Sequence, residues 1–265
     1  MKKYLLSAKT SVLNAFEYRS FVISSILMHL LGVGAIFFLW NKLIRDYTTV
    51  GNYNLTTIMT YYLLTGLFIG FFSDRTAKNY DNWIRSGGLS FFLVKPIKVI
   101  LHLFFKELGS RIGVILMTTV AFALPIIAIP SIRNTLVITP SSIFWLICFS
   151  VLSNLFLYLF FWTIGSLSFW MVGTGGIRNI IGNLIRILRG SWFPLDLAPM
   201  WFQNILALLP FQYAMFYPIK ILTDPPSHAE NIKGLAVLGI SILVFALLAK
   251  WIWDRGVKRF DSVGN

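Results

Sequence analysis

Thirty consecutive residues, 143–172, carry no Asp, Glu, Lys or Arg, and a second stretch, 21–40, runs 20 residues without a charge. A helix of about 20 apolar residues crosses the ~30 Å hydrocarbon core of a bilayer, and backbone polar groups inside that core must be satisfied within the helix. Such stretches therefore read as membrane spans. The rest of the chain agrees. Of the 265 residues, 57% are hydrophobic and 12% charged, against roughly 25% charged in an ordinary soluble domain. Too little polar surface is left to cover a soluble monomer.

Repeating the search gives six spans, at 21–40, 55–72, 112–129, 143–172, 177–193 and 234–253. Lys106, Glu107 and Arg111 interrupt the apolar run that begins at Val99, which sets the start of the third span at 112. Residues 1–19 place Leu5, Leu6, Val12, Leu13 and Phe16 at helical spacings beside Lys2, Lys3 and Lys9. This pattern suits an interfacial helix or a polar lead-in to the first span. Residues 194–222 are apolar but broken by Pro194, Pro199, Pro210 and Pro218. Proline removes backbone donors, so short re-entrant or interfacial helices are expected there. The fold class is an all-α integral membrane protein, with 1–265 as one transmembrane domain.

The net charge of +13 would suggest nucleic acid in a soluble chain. Here its placement decides. With the N-terminus inside, Lys and Arg divide fifteen to five in favour of the cytoplasmic side. This asymmetry predicts both termini in the cytoplasm and accounts for the charge without nucleic acid. No G-x-x-x-x-G-K-[ST] or H-E-x-x-H motif occurs, and His29, His102 and His228 have no partner at a metal spacing. Cys148 is a single thiol in an apolar run. No cofactor is expected on this chain. His29, inside the first span, is expected to pack with a hydrogen bond.

Three segments could carry function. The longest charged connection, 74–98, begins as a polar helix with Tyr80, Trp83 and Ile84 along one edge. It breaks at Gly87–Gly88 and restarts at Leu89. It is either a docking element for a soluble partner or an interfacial loop whose Lys and Arg snorkel. Arg186 and Arg189, three apart in the fifth span, share a helical face. A charge mid-span costs about 2.5–3.5 kcal/mol on insertion scales. They line a pathway or gate, or they reach headgroups from a displaced span. Arg178 is expected to be a topological anchor. In the third segment Trp192, Pro194 and Asp196 open the aromatic stretch 194–222, and Asp196 is placed to cap a short helix.

WIRSGGLSFFLVKPI at 83–97 resembles the segment after the second span in permeases of ATP-binding cassette exporters of the type-2 export class. TYYLL at 60–64, SFW at 168–170, the segment 194–221 and WDRGVKRFDSVG at 253–264 continue the resemblance in order. The branch it resembles is the multidrug or antibiotic-export permeases. That family often has Ser-Gly where Arg189-Gly190 stands, and an acidic or amide residue where Gly88 stands.

The resemblance implies a dimer of identical or paired permeases in a bacterial cytoplasmic membrane. Soluble ATP-binding cassette subunits would supply ATP and Mg from below, and an amphipathic substrate would cross: a drug, natural product or lipid-like molecule. It also implies a coupling helix near 75–88, with Tyr80, Asp81, Trp83, Arg85, Gly87 and Gly88 as contact candidates. Arg186, Arg189, Trp192, Pro194 and Asp196 become candidates for the pathway or its gate. Two other classes stay open: an ion-coupled secondary transporter and a membrane-embedded lipid-modifying enzyme. The first would favour acidic residues within spans, the second clustered His, Asp or Glu.

Overall fold

The structure is a computed structural model describing residues 2–17, 19–47, 49–68, 75–171 and 175–260. Among them the regular elements are helical: α1 Lys2–Glu17, α2 Arg19–Tyr47, α3 Leu55–Leu67, α4 Arg75–Arg85, α5 Leu89–Leu93, α6 Val99–Ala128, α7 Pro130–Arg133, α8 Pro140–Ser166, α9 Gly175–Leu188, α10 Met200–Leu208, α11 Phe216–Thr223 and α12 His228–Arg259. Short 3-10 turns lie at Leu167–Phe169, Leu195–Leu197 and Gln212–Ala214.

Among the described residues four helical segments are long and apolar enough to cross a membrane: Val22–Ile44, Val99–Ala128, Pro140–Phe169 and His228–Arg259. α3 is apolar but 13 residues long, about 20 Å at 1.5 Å per residue. The remainder of the expected span 55–72 falls partly at 69–72, outside the described residues, as does Asp74 at the head of the charged segment.

Two expected boundaries move. The third span does not start at 112, because α6 is continuous from Val99. Its charges are absorbed instead of breaking it. Arg111 Nε lies 4.0 Å from Glu107 one turn back, and Arg111 Nη1 donates to Asn154 Oδ1 on α8 at 2.6 Å. The fifth span does not reach 193, because α9 stops at Leu188. Gly190 takes φ +81°, Ser191 N donates to Arg186 O and Gly190 N donates to Ile187 O. This is a Schellman closure, which needs a residue that tolerates positive φ.

The molecule has two ends. At one, Tyr80, Ile84 and Leu89 of α4–α5 cluster with Val99 and Leu103 of α6, Tyr158 and Trp162 of α8, and Ala249 of α12. At the other, α3 packs with the far end of α6, with α7, and with Leu195, Leu206, Met215 and Phe216 of the proline-broken stretch. Between them Phe149, Phe156 and Leu157 of α8 meet Tyr213, Tyr217 and Leu238.

α1 runs along the first half of α6. Tyr4 stacks on Phe105, and its hydroxyl accepts from Lys98 N at 3.1 Å. Tyr4, Ser11 and Ala15 are buried. The apolar stripe Leu5, Leu6, Leu13 and Phe16 points outward, which suits lipid contact. Beyond Tyr4 small residues make the helix–helix seam, Gly109 against Ala8 and Gly113 against Ala15, as is usual where lipid competes for large apolar side chains.

Candidate functional site

The candidate residues fall at the two ends, six in α4 and the bend after it, one (Arg186) in the last turn of α9 and four in the stretch after it. α4 buries Thr76, Ala77, Tyr80, Asp81 and Ile84 and exposes Lys78, Asn82 and Arg85. Spacings of three and four sort the two sets onto opposite faces. On the inner face Tyr80 lies 4.0 Å ring to ring from Trp162. Ala77 packs so closely on Gly165 that a Cβ there would sit 3.0 Å from Ala77 Cα.

Asp81 is 1% exposed. It accepts from Ser168 Oγ at 2.6 Å and from Arg85 Nη2 at 2.7 Å, and Arg178 Nη1 of α9 lies at 3.8 Å. Its carboxylate ties α4 to the end of α8 and the start of α9. Tyr80 and Asp81 therefore face into their own chain, and a partner cannot reach them without displacing α4. Burial also drives the Tyr80 hydroxyl well above the ordinary tyrosine pKa, so it stays protonated.

Trp83 is half-buried. It lies 4.7 Å from Phe92 of α5 and under the Lys106 ammonium at 5.5 Å. Gly87 takes φ +72°, a conformation side chains resist, and turns the chain from α4 into α5. Arg85 is exposed, and the Gly87–Gly88 bend is half-buried.

At the other end, three tyrosines of the α3 region hold the turn after α9. Tyr61 Oη donates to Gly190 O, Tyr62 Oη donates to Trp192 O at 2.8 Å, and Tyr53 Oη donates to the Asp196 carboxylate at 3.0 Å. Phe216 N donates to Arg189 O at 3.1 Å, closing the turn from below. Asp196 does not cap the helix that follows. α10 begins after Pro199 with no side-chain cap, and the carboxylate is engaged by Tyr53 instead. Burial lifts the Asp196 pKa above the ordinary carboxylate range, partly offset by the Tyr53 bond. Burial and the Asp196 charge push Tyr53 far above its ordinary value.

Arg186 and Arg189 do not act as a matched pair. Arg186 is exposed, while Arg189 lies beyond the helix end, half-buried, with Nε donating to Ser191 Oγ at 2.6 Å. Trp192 is exposed and Pro194 buried.

Sequence reasoning missed the Asp81–Arg178 tie, the tyrosine clamp and the Arg111–Glu107–Asn154 cluster. An ionisable residue inside an apolar run was the available signal for Arg111. Nothing local marks Tyr53 as the partner of a residue 143 positions away. His29 packs edge-on against Phe122, with Nε2 3.1 Å from Tyr62 O. Among the described residues no group of His, Cys, Asp or Glu is placed to hold a metal.

Long apolar helices, a seam of small residues and intramembrane charges satisfied within the chain define a multi-pass α-helical membrane protein. The family model for ABC-2 family transporter proteins matches residues 30–264. The chain belongs to that family and is an ABC transporter permease. Neither a curated protein nor a solved structure matches it.

Proposed function

We propose that this chain is the membrane-spanning subunit of an ATP-driven exporter, building half of a translocation path and hydrolysing nothing itself. The family match over nearly the whole chain carries this reading. Members of the family work with ATPase subunits in general. In this reading the polypeptide crosses the bilayer six times, with the regions of α3 and α9 as the short crossings. Both termini and the α4–α5 end face the cytoplasm of a bacterial inner membrane. A second permease, identical or related, completes the path, and the cargo is amphipathic.

α4 supports the coupling role. Its buried face fixes it to α8 and α9, and its outer face offers Lys78, Asn82 and Arg85 to a soluble partner. A push on that face would move α8 and α9 as bodies, which is how a ligand bound on one subunit biases another. The contact set thus shifts from Tyr80 and Asp81 to Lys78, Asn82, Arg85 and the Gly87–Gly88 bend.

The test is affinity purification of the tagged chain from native membranes. A soluble ATPase should come down with it, and Lys78→Glu with Arg85→Glu should release that ATPase while the permease stays folded. Recovery of a well-folded permease without any ATPase under cross-linking conditions would refute the reading.

A further inference from the structure

A cavity of about 590 Å³ opens between the first turns of α12 and the stretch that includes α10 and α11. It is not part of the turn described above, although Asp196 forms one edge. Its walls are apolar, from Leu206, Leu208, Phe216, Ala236 and Val237, and its charged lining comprises Lys220, Lys233, Glu230 and Asp196. That size and lining suit a headgroup with the first carbons of a chain.

The charges sort by what already occupies them. Both Asp196 oxygens accept from Tyr53. Glu230 uses only Oε2, which accepts from Ser227 N and Oγ at 2.8 Å in the capping box of α12. Lys220 lies 4.0 Å from the exposed Asp224, a distance at which it holds that carboxylate loosely. Lys233 is exposed. Glu230 and Lys233 are three apart on one helix and so share a face, with Lys220 close enough to act on Glu230. Two ammonium groups and one carboxylate oxygen thus remain beside an apolar wall. Tyr217 also lines the cavity, and its hydroxyl, shielded from solvent, has no hydrogen-bond partner among the described residues.

We propose that this cavity holds a zwitterionic phospholipid of the phosphoethanolamine kind from the outer leaflet. Its phosphate bridges Lys220 and Lys233, its ammonium lies on Glu230, and its first acyl carbons lie along Leu206, Leu208 and Val237. An anion alone would leave the free Glu230 oxygen without a donor and a neutral diacylglycerol would leave both lysines unused, so the two-signed headgroup fits best. The outer-leaflet assignment rests on the exporter orientation proposed above.

Native mass spectrometry of the full chain in detergent tests it, with dioleoylphosphatidylethanolamine, dioleoylphosphatidylglycerol and dioleoylglycerol as probes. Wild type should retain the ethanolamine lipid about tenfold better than dioleoylglycerol, the scale of one charge-assisted contact. Lys233→Gln should weaken both phospholipids about tenfold. Glu230→Gln, which keeps a capping-box residue, should remove only the preference for ethanolamine over glycerol. Equal retention by wild type and Lys233→Gln would overturn the site, as would displacement of the lipid by millimolar inorganic phosphate.

Orientation is read separately. Lys233→Cys in a Cys148→Ser background should react with an impermeant maleimide from outside the cell. Reaction only in inverted vesicles would overturn the outer-leaflet placement and the exporter orientation together, whatever the lipid preference. External labelling without lipid selectivity would overturn the lipid site and leave the exporter reading standing.

Discussion

Asp81 and Arg85 form one ion pair, but the two ends of it live in different solvents. Asp81 is 1% exposed and the Arg85 side chain 44%. Removing the buried partner strands Arg178 and Ser168, and breaking a buried ionic cluster costs about 3–5 kcal/mol. Removing the exposed partner forfeits about 0–1 kcal/mol. Asp81→Ala should therefore lower the thermal midpoint of the purified protein strongly, and Arg85→Ala should barely move it. In the proposed exporter Arg85→Ala should instead weaken the ATPase.

Asp196 gives a pH test. Its carboxyl is held above the ordinary range, so the folded state binds that proton more tightly than the unfolded chain. The corresponding stability is complete below the ordinary aspartate pKa and is lost as pH rises through the elevated one. The midpoint of wild type should fall across that window relative to Asp196→Asn, whose amide does not titrate. A constant difference between the two proteins would contradict this. The sequence showed both aspartates and both arginines as residues worth naming. Which face each turned to was hidden, because burial of α4 is decided by α8, nearly 90 positions further on.

At the scale of elements, the helix seams rest on glycines whose sequence context says little. A Cβ on Gly109 would come within 2.1 Å of the Ala8 carbonyl oxygen of α1, whereas one on Gly32 or Gly34 of α2 meets nothing within 4 Å. Backbone cannot yield as a side-chain tip does, so Gly109→Ala should cost about 1–3 kcal/mol of strain and loosen α1 from α6. Gly32→Ala should be neutral or gain up to about 1 kcal/mol in helix propensity. Thermal midpoints of the two variants give the comparison, and protease access to residues 1–19 would report the loosened helix.

Elements were legible where the apolar run was long. α2, α8 and α12 follow from composition alone, and the break at Gly87 follows from two adjacent glycines after a polar helix. α6 was read short because its charges look disruptive until Asn154 and Glu107 are seen beside Arg111. α9 was read long although Gly190 stood in the sequence as a C-terminal stop, because the apolar run continues past it to Phe193.

At the scale of the molecule, Lys and Arg crowd the termini and the 75–98 connection. The structure clusters α4 and α5 with α6, α8 and α12 at one pole, and lays Tyr4 of α1 against the start of α6 beside them. What charge alone could not give was the mechanical link between the poles. α8 supplies it. Trp162 and Ser168 hold α4 at one end, while Phe149 near the other lies 4.8 Å from Tyr217 of α11. A rigid helix clamped at both ends transmits displacement without any rearrangement within itself. If the exporter reading holds, nucleotide on the partner ATPase should alter the far pole. A cysteine in place of exposed Trp192, in a Cys148→Ser background, should change its rate of labelling by an impermeant maleimide when ATP and Mg are added to the reconstituted complex. The same measurement with Asp81→Ala should show a smaller change, since α4 would lose its polar ties to Ser168 and to Arg178 of α9 and keep only its apolar packing on α8. Equal nucleotide response in both proteins would mean that the push travels by another route.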